Sequence, residues 1–388
     1  MTANFDVVIV GGGVLGAAAA YELAARGHSV AVLERTFPGR QGSGTTAGNL
    51  HMQAIHTRRP GQAVPVDATR LLPLQRASYE LWSQIEDRLG ESVGLVASGG
   101  FTVAETDEDV TALHDKFQWE QAAGIPTEVL DRAAVREAAP ELGQTVQGAT
   151  WCGWDGYANA LFATPAYLRG AQRNGARIFT QAPVERIERV GGDWRVISRV
   201  GEFTTSAVIN VAGPWLHEVS RRAGFDLQMA PLAIQMLETV RAPRFLDYLV
   251  QHVSRGLSVK QVTNGNLVIG GGWPSAELVL GGYTPVLEKS VEGNFADAVR
   301  VVPGIGEYRL SRAWSGPLAA TPDEMPVVGE VGNNSGFYVA GGTYSFTFSP
   351  LWARTLAELV EGVTPSVEVA DFGPARLVRE GTLEASQS

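Results

Sequence analysis

Short apolar runs and helix-forming stretches alternate along the first 35 residues. Asp6–Val10 (DVVIV) predicts a buried parallel strand, Ala17–Arg26 (AAAAYELAAR) a helix closed by Gly27, and Ser29–Leu33 (SVAVL) a second buried strand ending at Glu34. Together they make one βαβ unit. Further on, Gly201–Val211 predicts a short exposed edge strand and then a buried one. The turn Ala212-Gly213-Pro214-Trp215 leads into a helix over Trp215–Ala223, stopped by Gly224. Phe337–Ala340 predicts another buried strand running into Gly341-Gly342, and Pro350–Glu361 an amphipathic helix followed by Gly362. Between these lie predicted helices over Val64–Asp87, with a broken start at Pro73, over Asp107–Ala123, and over Asp131–Ala139 from an Asp cap. From Ala230 to Ile269 the period changes to alternating strands, with Asn264-Gly265 as a hairpin signal between Leu257–Val262 and Asn266–Ile269.

Length and composition narrow the class. The 388 residues suit two domains. No apolar run approaches the roughly 18 residues of a membrane span, so none is expected. The charge of −10, with no Lys/Arg cluster, argues against nucleic acid as a partner. A single cysteine, Cys152, forbids an internal disulfide and multi-cysteine metal sites; no metal is expected. The N-terminus Met1–Asp6 lacks a basic signal region, and together with the cysteine usage this predicts a cytoplasmic protein. Glycine is in excess, at 45 residues, without any repeat period.

The glycines concentrate where chemistry needs them. In Gly11-Gly12-Gly13-Val14-Leu15-Gly16, Gly11 permits the turn out of the strand, Gly13 lets backbone approach a pyrophosphate, and Gly16 lets the helix pack closely on the sheet. The helix N-terminus supplies free N–H groups and partial positive charge. Glu34 is placed to accept hydrogen bonds from an adenosine ribose, which argues against a 2′-phosphate, although Arg35 stands beside it. The chain then enters Arg40–Gln53 (RQGSGTTAGNLHMQ), whose small residues suit backbone wrapped around a flat cofactor.

With that loop, the sequence resembles the flavoenzyme family that includes D-amino-acid oxidase, glycine oxidase, sarcosine oxidase and the flavin subunits of opine and hydroxyproline dehydrogenases. In pattern it is closest to the last two. Three stretches carry the resemblance: Asp6–Asn49, Ala182–Gly224 and Arg312–Pro350. It implies non-covalently bound FAD, with Ser43, Thr45, Thr46, Ala47, Gly48 and Asn49 beside the pyrophosphate and ring, and Val184 against adenine. Ala212, Gly213 and Trp215 would touch the cofactor from below, and Gly341, Gly342, Tyr344, Phe346 and Thr347 would complete its site with Val14, Leu15 and Arg35. The expected architecture is α/β: a Rossmann-like FAD-binding domain from residues 1–64, 146–225 and 310–388. An α+β substrate domain with an antiparallel sheet takes 65–145 and 226–309.

Departures from the family pattern shape the function expected. Pro317 and Leu318 stand where glycine oxidase and D-amino-acid oxidase carry a carboxylate-binding arginine, and Thr347 and Leu50–Gln53 replace the anchors of monomeric sarcosine oxidase. None of Lys116, Lys260 and Lys289 matches that enzyme's oxygen-activating lysine; Val279 sits about there, which leans toward a dehydrogenase. Gly316 approximates the flavin-linking cysteine. The resemblance therefore implies oxidation of a C–N bond of a secondary amine or N-substituted amino acid by hydride transfer to the flavin. A D-amino-acid or glycine oxidase, or a flavin subunit passing electrons to a partner, are the alternatives. His51, Tyr344 and Trp273 are the catalytic candidates, with His51 and Gln53 resembling the opine-type segment. Trp273 and Tyr283 are possible pocket walls, Lys260 is either pocket-lining or solvated, and His252, Arg255 and Arg244 are possible roof cations.

Overall fold

In this computed structural model, which describes residues 2–55 and 68–379, the run of apolar residues at Val7–Val10 becomes the centre of a six-stranded sheet. The strand order is 327–330, 337–341, 207–210, 7–10, 30–33, 177–179, parallel except for the antiparallel edge strand Val327–Glu330. Alternation divides its core in two. Val7 and Ile9 face a layer of helices, Val14–Ala25, Ala160–Arg173 and Ser349–Val360, while Val8 and Val10 pack toward a four-stranded sheet. The alanines of the first helix allow that close stacking: Ala17 to Ala20 are all buried.

The smaller sheet corrects one expectation. Gly201–Thr205 is not an edge strand, because Thr2–Asn4 pairs in parallel along its open side and Asp193–Ser198 antiparallel along the other. The predicted helix over Val64–Asp87 resolves into Leu72–Trp82, with Pro73 in its first turn, and Ile85–Leu89; residues 64–67 lie outside the described residues. Asp107–Ala122 starts from a capping box of Thr106 and Asp109, and Asp131 caps Arg132–Ala138. Gly265 takes φ +94 in the hairpin joining Ser258–Gln261 to Leu267–Gly270.

Those strands belong to an eight-stranded sheet, ordered 310–318, 232–239, 267–270, 258–261, 249–252, 100–104, 148–152, 127–131. It is antiparallel except between Leu249–His252 and Gly100–Ala104. Gly148–Cys152 and Leu310–Leu318, which lie inside the ranges 146–225 and 310–388 expected for the FAD-binding domain, pair in this sheet, with Gly100–Ala104 and Leu232–Thr239. One face packs on Glu288–Val301 through Leu237, Val259, Leu267 and Ile269. The other face, carrying Ile234, Met236 and Ser258, looks toward the six-stranded sheet across a cavity. Among the described residues no helix is long and apolar enough to cross a membrane.

Candidate active site

A cavity of about 520 Å³ runs from the C-terminal ends of the parallel strands to the face of the large sheet. At the first end, Gly11 turns with φ +114, and a Cβ there would stand 2.7 Å from the Val211 carbonyl oxygen. No side chain caps the helix Val14–Ala25 from its cap position Gly13, although Ser43 Oγ accepts the Val14 amide at 2.9 Å. Gly13, Val14 and Leu15 therefore present first-turn backbone to the cavity. Glu34 accepts the amides of Gly12, at 2.9 Å, and Thr36, at 2.7 Å. A carboxylate has about four acceptor sites, so Glu34 keeps capacity for a ligand hydroxyl. Arg35 stacks 4.2 Å over the Trp215 ring, and Arg40, Arg222, Val184, Ala212 and Gly213 also line this end.

The small-residue loop forms the middle. Gly42–Thr45 is a single helical turn, and Asn49–Leu50 pairs with Gly156–Tyr157. Trp314 Nε1 donates to Thr45 O at 2.9 Å, and a Cβ on Gly316 would collide with Thr45 Oγ1. Ser43, Thr45, Thr46, Ala47 and Asn49 line the cavity; so do Gly341, Gly342, Tyr344, Phe346 and Thr347. Thr347 ties these segments together, donating to Asn49 O at 3.3 Å and accepting the His51 amide at 3.4 Å. Tyr344 and Glu324, both lining residues, hold left-handed backbone at φ +60 and +59, a conformation costly for residues other than glycine.

The far end is lined by Ile234, Met236, Gln251, Leu257 and Ser258, with His51 and Ile55 opposite. Burial lowers the His51 pKa to about 4, with the Lys260 charge pushing the same way and a Gln251 hydrogen bond opposing; its Nδ1 is buried without a partner among the described residues. Gln251 Nε2 donates at 3.2 Å to Asp155, which also accepts the amides of Met52 and Gln53 and Gln53 Nε2. Burial pushes Asp155 up to about 6 against those hydrogen bonds.

Several predicted residues sit elsewhere. Trp273 is outside the lining: its Nε1 donates to Gly256 O at 2.8 Å and its ring lies against Gly293. Gly16 and Gly48 are packing glycines, their Cβ positions blocked by the carbonyl oxygens of Gly11 and Ala158. Tyr283 is 79% exposed and Val279 50%. Gln53 is buried behind the wall, accepting from Lys116 Nζ at 2.7 Å. His252 and Arg255 pair with Glu105, and Arg244 with Asp247; none lines the cavity. Lys260 is neither solvated nor lining: it is 2% exposed, donating to Ala47 O and Asn49 Oδ1 from behind the loop. Gln251, and Asp155 behind it, were missed by sequence reasoning, since only contacts between segments distant in the chain bring them here.

These residues fit an FAD: a glycine turn and the first-turn backbone of a helix for its pyrophosphate, an acid with spare acceptors for its ribose, and a small-residue wall for its ring. Comparison with known proteins agrees. The family described as FAD dependent oxidoreductase (DAO) matches residues 6–359. Glycine oxidase of Geobacillus kaustophilus (strain HTA426) is 28% identical over 384 residues, covering 97% of this chain and 98% of that protein. Hydrogen cyanide synthase subunit HcnC of Pseudomonas aeruginosa is 29% identical over 428 residues, covering 98% of each. The crystal structure of the Geobacillus kaustophilus glycine oxidase superposes with a TM-score of 0.83, covering 96% of this chain and 99% of that one at 28% identity. L-proline dehydrogenase from P. horikoshii shares the fold at a TM-score of 0.86 and 23% identity, covering 97% and 98%.

Proposed function

Because this chain belongs to the FAD-dependent oxidoreductase family, we propose that it oxidises a C–N bond of a secondary amine or N-substituted amino acid. The substrate is of opine, sarcosine or cyclic imino-acid type, and the product is an imine that water hydrolyses. One observation carries the choice of substrate. Pro317 and Leu318 line the cavity at the positions where the resemblance expects a carboxylate-binding arginine, and the adjoining sheet face of Ile234, Met236, Gln251, Leu257 and Ser258 bears no formal charge. A primary amino acid gripped in the usual way finds no cation among these lining residues, Lys260 on the same strand being turned to the back of the small-residue loop, whereas a bulkier amine is held by shape.

When bound, FAD supplies the acceptor for the hydride that leaves the carbon next to nitrogen. The chain's residues orient and desolvate. His51, kept neutral, presents an Nδ1 with no partner among the described residues as acceptor for a substrate N–H, and Tyr344 and Phe346 wall off water. FAD is held non-covalently in this reading, since Gly316 has no room for a side chain and Cys152 is buried in a strand away from the lining. Acid precipitation then releases FAD into the supernatant.

The test is turnover with an artificial electron acceptor on sarcosine, opines, proline, D-alanine and glycine, with the carbonyl product identified. Activity on the secondary amines alone supports the reading, and activity confined to glycine or D-alanine overturns it. The similarity to a cyanide synthase subunit favours a second reading, a flavin subunit that passes electrons to a partner chain. Slow turnover with oxygen and fast turnover with the artificial acceptor distinguish it from an oxidase.

A further inference from the structure

Lys260 is a buried cation with no carboxylate paired to it among the described residues. Its strand, Ser258–Gln261, is buried on both faces, and the ammonium reaches the back of the small-residue loop, where it donates to Ala47 O and, at 2.5 Å, to Asn49 Oδ1. The Tyr157 ring lies 4.5 Å from Nζ and occupies its remaining side. Burial lowers its pKa to about 7.

The groups facing it come from every element around. The loop brings Asn49 and His51; the turn and strand at 155–157 bring Asp155 and Tyr157; Arg244 lies beyond Tyr157, bonded to Gln261 O at 2.8 Å; Gln251 is on the neighbouring strand. Asp155 is engaged with Met52, Gln53 and Gln251 rather than with the ammonium. Ala47 and Asn49 are themselves cavity wall, and the Lys260 charge is felt by His51, a lining residue. Its field therefore reaches the space the cofactor fills.

Hydride transfer brings two electrons and one proton, so a flavin that takes up no second proton gains one negative charge. We propose that Lys260 is the positioning cation for that charge: it stands behind the wall as the counter-charge to the reduced cofactor and makes the reduction potential depend on its own protonation. Below neutrality the ammonium is present and favours reduction. As pH rises through its titration the charge is lost and the potential falls more steeply. The inference rests on the cofactor and not on the amine assignment, and chemical reduction keeps the two apart.

The experiment is a dye-equilibrated dithionite titration of the holoenzyme and of Lys260→Gln, Lys260→Met and Lys260→Arg, at pH 6 and pH 9. At pH 6 the neutral variants are expected to shift the reduction equilibrium about tenfold toward the oxidised form, about 30 mV for a two-electron couple. That gap closes at pH 9, where Lys260→Arg, still charged, stands above the wild type. A merely structural strut changes FAD affinity or melting temperature but not this pH dependence. Neutral variants with wild-type potential at pH 6, or with an equal gap at both pH values, overturn the proposal. If the neutral variants lose FAD, Lys260→Arg against wild type at pH 9 decides it. Loss of FAD from the arginine variant too assigns Lys260 a packing role and overturns the proposal as well.

Discussion

Glu34 Oε2 accepts the amide of Gly12 at 2.9 Å, so the acid that ends the second strand also braces the glycine turn that begins the first helix. The places proposed for the cofactor's ribose and pyrophosphate are thereby mechanically joined. Glu34→Ala removes a charged acceptor from both, and its FAD affinity is expected to fall by about 10- to 100-fold, consistent with roughly 1.5–3 kcal/mol for a hydrogen bond to a charged group. Fluorescence titration of the apoprotein with FAD measures it; an unchanged affinity shows that Glu34 serves the turn alone.

Gly316 meets the small-residue loop where a Cβ would strike Thr45 Oγ1. Gly316→Ala forces the strand Leu310–Leu318 away from the loop, and a loss of about 1–3 kcal/mol is expected from such overpacking. Denaturant unfolding of the holoenzyme checks it, and a wild-type midpoint sets the close approach aside.

Asp155 holds a proton more tightly when folded, at about 6 against an ordinary 3.8. Its contribution to stability is full below about pH 4 and is lost as pH rises through 6, by about 3 kcal/mol. Asp155→Asn lacks that titration. The difference in unfolding free energy between wild type and variant is therefore expected to change between pH 4 and 7 in this direction, and a constant difference contradicts it.

His51 is expected to remain neutral well below the ordinary histidine range, since burial and the Lys260 charge lower its pKa to about 4. Histidine-selective NMR, assigned by loss of the signal in His51→Asn, reads it directly. In Lys260→Met the titration moves upward toward 6.5, because one of the two causes is gone.

What the sequence made legible was local backbone chemistry. The turn at Gly11–Gly16, the acid at Glu34, the cap at Asp131, the hairpin turn at Gly265 and the small-residue loop are each specified within a few residues. What it hid depends on partners distant in the chain. Gly148–Cys152 and Leu310–Leu318 were placed with the FAD-binding domain by their position in the chain, and nothing within them names Gly100–Ala104 or Leu232–Thr239 as neighbours. Lys260, in the segment SVKQ, looks like a solvent-facing residue of an alternating strand. Its burial follows only when the loop Ala47–Asn49 and Tyr157 close over it. Trp273 failed as a pocket candidate for the same reason, since a helix 20 residues later covers it at Gly293.

In the proposed reading the cavity binds FAD and oxidises a secondary amine. Anaerobic mixing of the yellow holoenzyme with sarcosine, opines, cyclic imino acids, D-alanine and glycine in turn, while the visible flavin band is followed, tests it most directly. Bleaching by a secondary amine and not by the primary ones is the expected result. Bleaching by glycine or D-alanine alone, or by none of the five, contradicts it.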